Sequence, residues 1–502
     1  VRNGVFDMRT IEERPEKEIK KNVARIVRFD SFGGDAPDET LSLGYAKYAC
    51  NVRLGLGSVA AVKGLEEAKV NGNLLPPPST VNANFGKVFF YREWNVQTGE
   101  YDPIMLYSLD NKYIYKVRPG ESSFERLTLA PTHIVDFVRF HKADGDLVVM
   151  LDGDTHVLTY DGHQAIQYFS KPSLRCPAVY RNKLYAIDAT DGQVMRCSQK
   201  GDPTAWDDVT LGARKILFSD DGGELRKTVV CGDSLYVIRD FSVFRYTEYA
   251  DTEDGYSLNK VLSTQGKIYA DTVSVWNDAL YFYAENGFYT VKGSSVSRIW
   301  QDEATLIDDA RYAAGLCFGG KYYLTARFRT DERGDVCEDE SECVYNNGFL
   351  AIGIDAPGLS FTRGTDIKEF FSGNIGDKNY LFFIHSQGRR ADRIGMPSED
   401  GKIYGEATEK RWYSPRVTLG GMRLLKTIRN IHVRPLTDMK MTVILDENEF
   451  EYELERSSKV VTVPVNKAGT TFQLYFCSEA DEFRLEGFEI EYETAERRRY
   501  GL

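Results

Sequence analysis

The chain has 502 residues, room for two or three domains, and its 42% hydrophobic and 27% charged residues are the balance of an ordinary globular protein. A formal net charge of −12 argues against a surface built to grip nucleic acid or anionic membranes, unless a basic patch is segregated on one face. No run approaches the ~18–20 apolar residues of a membrane span, and the opening VRNGVFDMRTIEERPEKEIKKN lacks the apolar core of a secretory signal, so synthesis in a cytoplasm is expected.

Residues 1–80 read as an extended N-terminal arm. The charged run IEERPEKEIKK leads into FGGDAPDETLSLGYAKYACNVRLGLGSVAAVKG and then the breaker LLPPPST. Val23, Ile26, Val27, Leu41, Leu43, Tyr45, Tyr48, Val52 and Leu54 are too many apolar groups for a disordered leader. The expectation is an arm lying across the rest of the protein or a neighbour.

Residues 81–405 carry a recurring phrase, an apolar-aromatic pair on a short strand close to a tight turn. It stands as LVVML, KLYAIDATDGQVMRC, SLYVIRDFSVFRY and ALYFYAENGFYTV, and more loosely as KYYLTARF and NYLFFI. With Leu147, Leu184, Leu235, Leu280, Tyr322 and Tyr380 as anchors, the steps are 37, 51, 45, 42 and 58 residues. A unit of about 40–50 residues built from short strands is the signature of a propeller blade. Asp-Gly pairs at 144–145, 152–153, 161–162, 191–192 and 400–401, with Asn286-Gly287, are hairpin signals, because a type I′ turn needs positive φ at both central residues. Units are expected near 86–117, 133–160, 176–213, 228–247, 270–292, 313–355 and 371–404. The fold class is therefore all-β, a propeller of about six or seven blades, and the spacing leaves room for one incomplete blade that a strand from elsewhere could close.

Residues 406–495 change pattern to longer strands with strict alternation. In EFEYELE, Phe450, Tyr452 and Leu454 share one face while Glu449, Glu451, Glu453 and Glu455 share the other; Phe488, Ile490 and Tyr492 repeat the device. This implies an antiparallel β-sandwich. Residues 496–502 form a basic tail.

The chain offers little that reads as chemistry. Its histidines, His133, His141, His156, His163, His385 and His432, have no metal-binding spacing. The segment GLGSVAAVKG fails the dinucleotide pattern at Ala60, and no phosphate loop or nucleophile elbow occurs. Six cysteines (Cys50, Cys176, Cys197, Cys231, Cys317, Cys477) sit in strand-like runs as small buried groups, while Cys337 and Cys343 flank an acidic loop, where cytoplasmic synthesis favours thiols over a disulfide. The carboxylates of 144–161 lack EF-hand spacing. SQKGDPTAW departs from a sialidase Asp-box at Lys200 and Asp202, and its tryptophan is expected between blades. No catalytic residue, cofactor or metal ligand is assigned.

Three phrases carry a resemblance. The first is the N-terminal segment with Asn51, Val52, Gly57 and Gly64, where Lys63 takes the usual arginine place. The second is SQKGDPTAWDD, and the third is RWYSPRVTLGG with the later VTVPV and GTTFQLYF. Together they resemble the propeller-bearing virion proteins of tailed bacteriophages, of the packaged-DNA stabilisation, nozzle and hub types. The resemblance implies a non-enzymatic structural protein of the virion tail or neck, assembled as a homo-oligomeric ring with other tail or portal proteins. DNA would pass through the lumen without sequence-specific binding, and no membrane is involved. Arg497, Arg498 and Arg499 are the one tight basic run, expected to pair with an acidic neighbour. The alternative is a glycan-directed receptor-binding or depolymerase protein, with Tyr281, Tyr283 and Tyr289 as stacking surfaces.

Overall fold

A computed structural model describes residues 20–496, apart from 28, 30–31, 56, 71, 76–83, 96, 110–112, 122–123, 129–133, 135, 143–144, 164, 221, 250–254, 331–342, 387–391, 420 and 422–423. Four-stranded antiparallel sheets follow one another along the chain. The first is built from Phe85–Asn95, Glu100–Leu109, Tyr113–Val117 and Glu125–Arg126. The second runs from Asp136 to Ser170, the third from Leu174 to Leu217, the fourth from Leu225 to Ser263 and the fifth from Ser274 to Ile299. The sixth begins with Ile307–Phe318 and reaches Leu359–Arg363; the seventh holds Asp366–Ile375, Lys378–Ser386 and Asp392–Pro397. The leading strand of each sheet packs near that of the next, through the short turn Ala270–Thr272 between the fourth and fifth, and Asp366–Ile375 returns against Phe85–Asn95. Radial sheets around a closed ring of inner strands define a β-propeller.

The recurring phrase has a physical cause. Leu147, Leu184, Leu235, Leu280, Tyr322 and Tyr380 all lie on the second strand of their sheets. That strand has paired strands on both edges and a neighbouring sheet against each face, so both faces must be apolar. Leu184 and Ala186 pack toward the second sheet, whereas Tyr185 and Ile187 pack toward the fourth. Leu235 and Val237 likewise face the third sheet, and Tyr236 and Ile238 the fifth. A continuous apolar run, rather than alternation, is the mark of a strand buried on both sides.

The tight two-residue turns fall away from the described Asp-Gly pairs: Asp144 lies outside the described residues, while Gly153, Gly162 and Gly401 take positive φ (70°, 93° and 70°) in wider connections. Two-residue connections with positive φ at both positions occur at Arg181-Asn182 (47° and 61°), Asn277-Asp278 (47° and 58°) and Gly319-Gly320 (56° and 75°), between the first and second strands. At 152–153 the loop is wider, because the Asp152 carboxylate accepts from the Asp154 and His156 backbone N–H groups. Asn286-Gly287 is displaced by one residue: Ala284 pairs with Gly287, leaving Glu285-Asn286 as the turn.

The N-terminal segment supplies strands to four places. Lys20–Ile26 pairs with Arg484–Glu496. Tyr48–Cys50 pairs with Lys410–Tyr413, at the edge of a sheet that continues through Phe472–Ser478, Met439–Leu445 and Asn448–Leu454. Val52–Leu54 and Val59–Ala61 bridge the sixth sheet to Arg484–Glu496, Leu424–Pro435 and Val461–Gly469, making ten strands with Lys20–Ile26. Leu65–Glu67 adds the fourth strand to the seventh sheet. The two C-terminal sheets meet through Trp412, Phe476 and Phe488, whose ring centroids lie 5.7–6.1 Å from one another.

Two residues make this threading possible. Asn51 sits at φ 56°, a conformation asparagine tolerates better than most residues, and the chain switches sheets there. Its amide donates to the Glu409 carbonyl at 2.9 Å, and its side-chain oxygen accepts from the Arg363 N–H at 2.9 Å. Gly64 lies so close to the seventh sheet's terminus that a Cβ would stand 2.1 Å from the Lys402 carbonyl oxygen. Asn51→Ala removes both hydrogen bonds and adds left-handed strain, and is expected to lower unfolding stability by about 3 kcal/mol; denaturant titration of the purified chain checks this, and an unchanged midpoint contradicts it.

Candidate functional site

A cavity of about 420 Å³ runs where the leading strands converge, lined among others by Lys87, Asp136, Cys176, Lys227, Asp271 and Glu369. Leading strands have one edge without a partner strand. Side chains make the crosslinks instead. Lys87 of the first sheet pairs with Glu369 of the seventh at 3.0 Å, and Lys368 of the seventh donates to the Phe85 carbonyl at 2.6 Å. Lys227 of the fourth sheet donates to the Val273 carbonyl at 3.0 Å, and the Ser274 hydroxyl accepts from the Cys317 N–H at 2.8 Å. Cys176 stands at φ 54° in a bulge of the third sheet, with its thiol 3.0 Å from the Arg226 carbonyl and its own carbonyl accepting from the Thr228 hydroxyl.

The electrostatics follow from enclosure. Glu369 is the first cause that raises the Lys87 ammonium above its ordinary range, against an opposing burial effect. Burial pushes the Cys176 thiol up to about 12, so it is a protonated packing group rather than a nucleophile. Asp136 keeps part of its surface open, but that surface looks into the narrow cavity. Burial raises its carboxyl from 3.8 to about 6, and the nearby Lys87 and Lys227 only partly oppose this. The site ties neighbouring blades together through side chains. Of these residues the sequence reading named only Cys176, as a small buried group, and assigned none of them to a site. The available signal was their place at the start of each unit, one strand ahead of the apolar phrase.

The residues that were singled out lie apart. His141 meets Asp146 at 2.5 Å, His156 meets Asp152 at 3.0 Å, and His432 accompanies Thr462 and Glu491. His385 is fully buried against Tyr404, with ring centroids 4.2 Å apart, and burial holds its imidazole down to about 3. His133, Cys337, Arg497, Arg498 and Arg499 fall outside the described residues. Cys50, Cys197, Cys231, Cys317 and Cys477 are buried, and among the described residues no group of His, Cys, Asp or Glu is placed to hold a metal ion. Trp206 is buried between the second and third sheets, its indole donating to the Pro203 carbonyl at 3.0 Å. Tyr281 stacks on Trp300, Tyr283 is buried, and Tyr289 stacks on Phe282, so all three belong to inter-sheet packing.

No family model and no curated protein matches this chain. Among solved structures, BBS1N in complex with ARL6DN is 10% identical with a TM-score of 0.41, covering 62% of this chain and 92% of that one. YCF48 bound to a D1 peptide is 10% identical at 0.39, covering 67% and 98%. YCF48 from Cyanidioschyzon merolae is 8% identical at 0.33, covering 57% and 97%. Likeness at this level carries no argument about partner or chemistry; the propeller assignment rests on the strand order.

Because the folded Asp136 binds a proton that the unfolded chain has lost, its contribution is full below about pH 4 and disappears as pH rises through about 6. Asp136→Asn is therefore expected to raise the melting temperature at neutral pH, and the gain should vanish toward pH 4. Scanning calorimetry of both proteins across that range tests this, and a loss of stability at neutral pH contradicts it.

Proposed function

We propose that the chain is a seven-bladed propeller carrying a C-terminal β-sandwich, and that it serves as a non-catalytic structural subunit of a tailed-phage virion. In this reading copies of the chain form a ring in the tail or neck, of nozzle, hub or DNA-retention type, in contact with other tail or portal proteins. DNA passes through the lumen, and the net charge of −12 supports sliding rather than capture, since DNA affinity needs clustered cations.

The resemblance behind this reading gains support from where its residues fall. Asn51 and Gly64 sit at the joints already described. The Ser414 hydroxyl accepts from the Leu474 N–H at 2.9 Å, and the Gln473 amide donates to the Ser414 carbonyl at 2.9 Å. The W-x-S-P and F-Q-L phrases, about sixty residues apart, thus close on each other. These are positions that fix an architecture.

The observation that carries assembly is the distribution of exposed apolar side chains. Val209, Leu211 and Leu217 are 67%, 57% and 63% exposed beside the outermost strand of the third sheet, Arg214–Leu217. Val23, Val27 and Val460 are about as exposed among the C-terminal sheets, which extend from the sixth sheet. The third and sixth sheets are three places apart in a ring of seven, so the two patches lie nearly across the axis. Two different exposed apolar patches on one subunit permit head-to-tail contact, which closes into a ring where the rotation between neighbours closes.

Mass photometry and negative-stain micrographs of the purified chain are expected to show closed rings. Leu211→Glu combined with Leu217→Glu should shift the population to monomers with little change in melting temperature, because both side chains already face water. Monomers of the unaltered chain at micromolar concentration, or rings that survive the double substitution, overturn the assembly reading.

A further inference from the structure

A second cavity, of about 370 Å³, opens between the sixth and seventh sheets beneath the N-terminal strand that completes the seventh. Pairing registers align its wall. Tyr323 lies opposite Ala351, Ala351 opposite Ser360, Ser360 opposite Arg53, and Arg53 opposite Ala60. Residues directly opposite one another in a sheet project from the same face, so one row presents an aromatic ring, three small residues that leave room, and a guanidinium. The facing wall and floor are apolar: Phe349, Phe370, Leu381 and Phe383 are buried there as one cluster.

Four cationic side chains, Arg53, Lys63, Lys321 and Arg484, line the cleft against three carboxylates, Glu399, Asp481 and Glu482, and Asp481 is engaged with Lys402 and Lys410 at 3.7 and 4.0 Å. Lys63 is paired with Glu399 and Arg484 with Glu486. Arg53 and Lys321 line the same cleft, and no acidic residue among the described residues pairs with either. The Lys321 ammonium is held below its ordinary range, first by burial and then by the positive charges of Arg53 and Lys63. At the foot of the cleft the Thr362 hydroxyl is buried with no hydrogen-bond partner among the described residues. Arg53 and Lys321, with no ion-pair partner of their own among the described residues, stand beside an apolar floor, a combination that an anion with an apolar body would satisfy. The volume lies in the range of small-ligand sites, about 300–1,000 Å³.

We propose that this cleft binds a small amphipathic carboxylate, with its head between Arg53 and Lys321 and its apolar body against Tyr323, Phe349, Phe370 and Phe383. An ammonium of the same shape is repelled by the two cations. A neutral alcohol keeps the floor contact and forfeits the charge-assisted bonds, which are about twice as strong as neutral ones. The same chemistry is offered by a free aryl or alkyl acid and by a peptide ending in an apolar residue.

Saturation-transfer NMR and calorimetry on the full chain, with 4-phenylbutyrate, 4-phenylbutanol and 4-phenylbutylamine as matched probes, test the proposal. A short peptide with a free C-terminal phenylalanine forms a further arm. The carboxylate is expected to bind about tenfold more tightly than the alcohol, and the amine not at all. Arg53→Gln with Lys321→Gln should abolish the preference for the acid, and Ala351→Leu should block all of the probes by filling the cleft. Tighter binding of the phenylbutyrate than of the peptide assigns a free acid, and the reverse order assigns a chain terminus. Absence of carboxylate binding at millimolar concentration, equal affinity for acid and alcohol, or unchanged preference in the double variant overturns it. Mass photometry on the same samples reports ring assembly separately, so either reading can fail without the other.

Discussion

The fold depends on how one short stretch satisfies the edges of three sheets. A strand edge leaves a row of backbone donors and acceptors without partners, and each sheet must cover its edge or expose it. Between Tyr48 and Glu67 the chain covers an edge of the second C-terminal sheet, bridges the sixth propeller sheet to the first C-terminal sheet, and supplies the last strand of the seventh. Each strand is only three residues long, so its own propensity contributes little. Stability comes from the neighbours, and from the left-handed Asn51 and the close approach at Gly64 that let the backbone change sheets without breaking the ladders. Apart from the pairing of Val52–Leu54 with Val59–Ala61, this stretch lies far in sequence from the strands it pairs with, so these are contacts of high sequence separation.

Charge is spent inside the molecule as much as on its surface. Lys183 and Glu248 meet at 3.0 Å with Tyr185 and Tyr246 completing the shell, Lys116 and Glu93 meet at 2.6 Å, and Arg196 and Asp188 meet at 2.6 Å. Arg239 is fully buried, joined to Asp220, Gln193 and the Gly223 carbonyl. Such pairs add little net stability over apolar packing but punish any misalignment that strands one partner. Two of them join different sheets, Lys183 to Glu248 across the third and fourth, and Arg239 of the fourth to Gln193 in a loop of the third. They fix how far one blade slides along the next, which apolar contact alone leaves loose. The axial cavity extends the same logic, with Lys87 and Glu369 tying the last sheet to the first.

The second strands were the legible part of the sequence because their environment is extreme. Burial on both faces writes LYAI, LYVI and LYFY into the chain, and nothing on a half-exposed strand competes with that signal. The fourth strands were not legible: Glu125–Arg126 and Gln167–Ser170 are short and largely exposed, and any polar segment reads alike. The first sheet escaped the phrase because its second strand, EYDPIMLYSL, begins with exposed polar residues and becomes buried only from Ile104 onward. The turns were misplaced for a related reason. Asp-Gly signals a chain reversal, but the tight reversals went to Arg-Asn, Asn-Asp and Gly-Gly pairs, in which asparagine, aspartate and glycine tolerate the left-handed region and Arg181 is held there by the strand pairing on both sides.

The sites are harder to read than the fold because they are properties of register. Arg53 stands inside CNVRLGL, where the sequence marks Asn51 and Val52 as architectural and gives the arginine no distinction. Tyr323 and Ala351 belong to a blade, and Ser360 closes that blade's outer strand. Only the pairing of four strands sets these residues in one row, and only the early end of the seventh sheet leaves that row open to solvent. The sixth sheet continues outward into the C-terminal strands while the seventh stops at Leu65–Glu67. Where one sheet outruns its neighbour, a face designed for packing loses its cover, and the cleft of Arg53 and Lys321 is the gap that results. The same step that joins the propeller to its C-terminal sheets therefore creates the cleft.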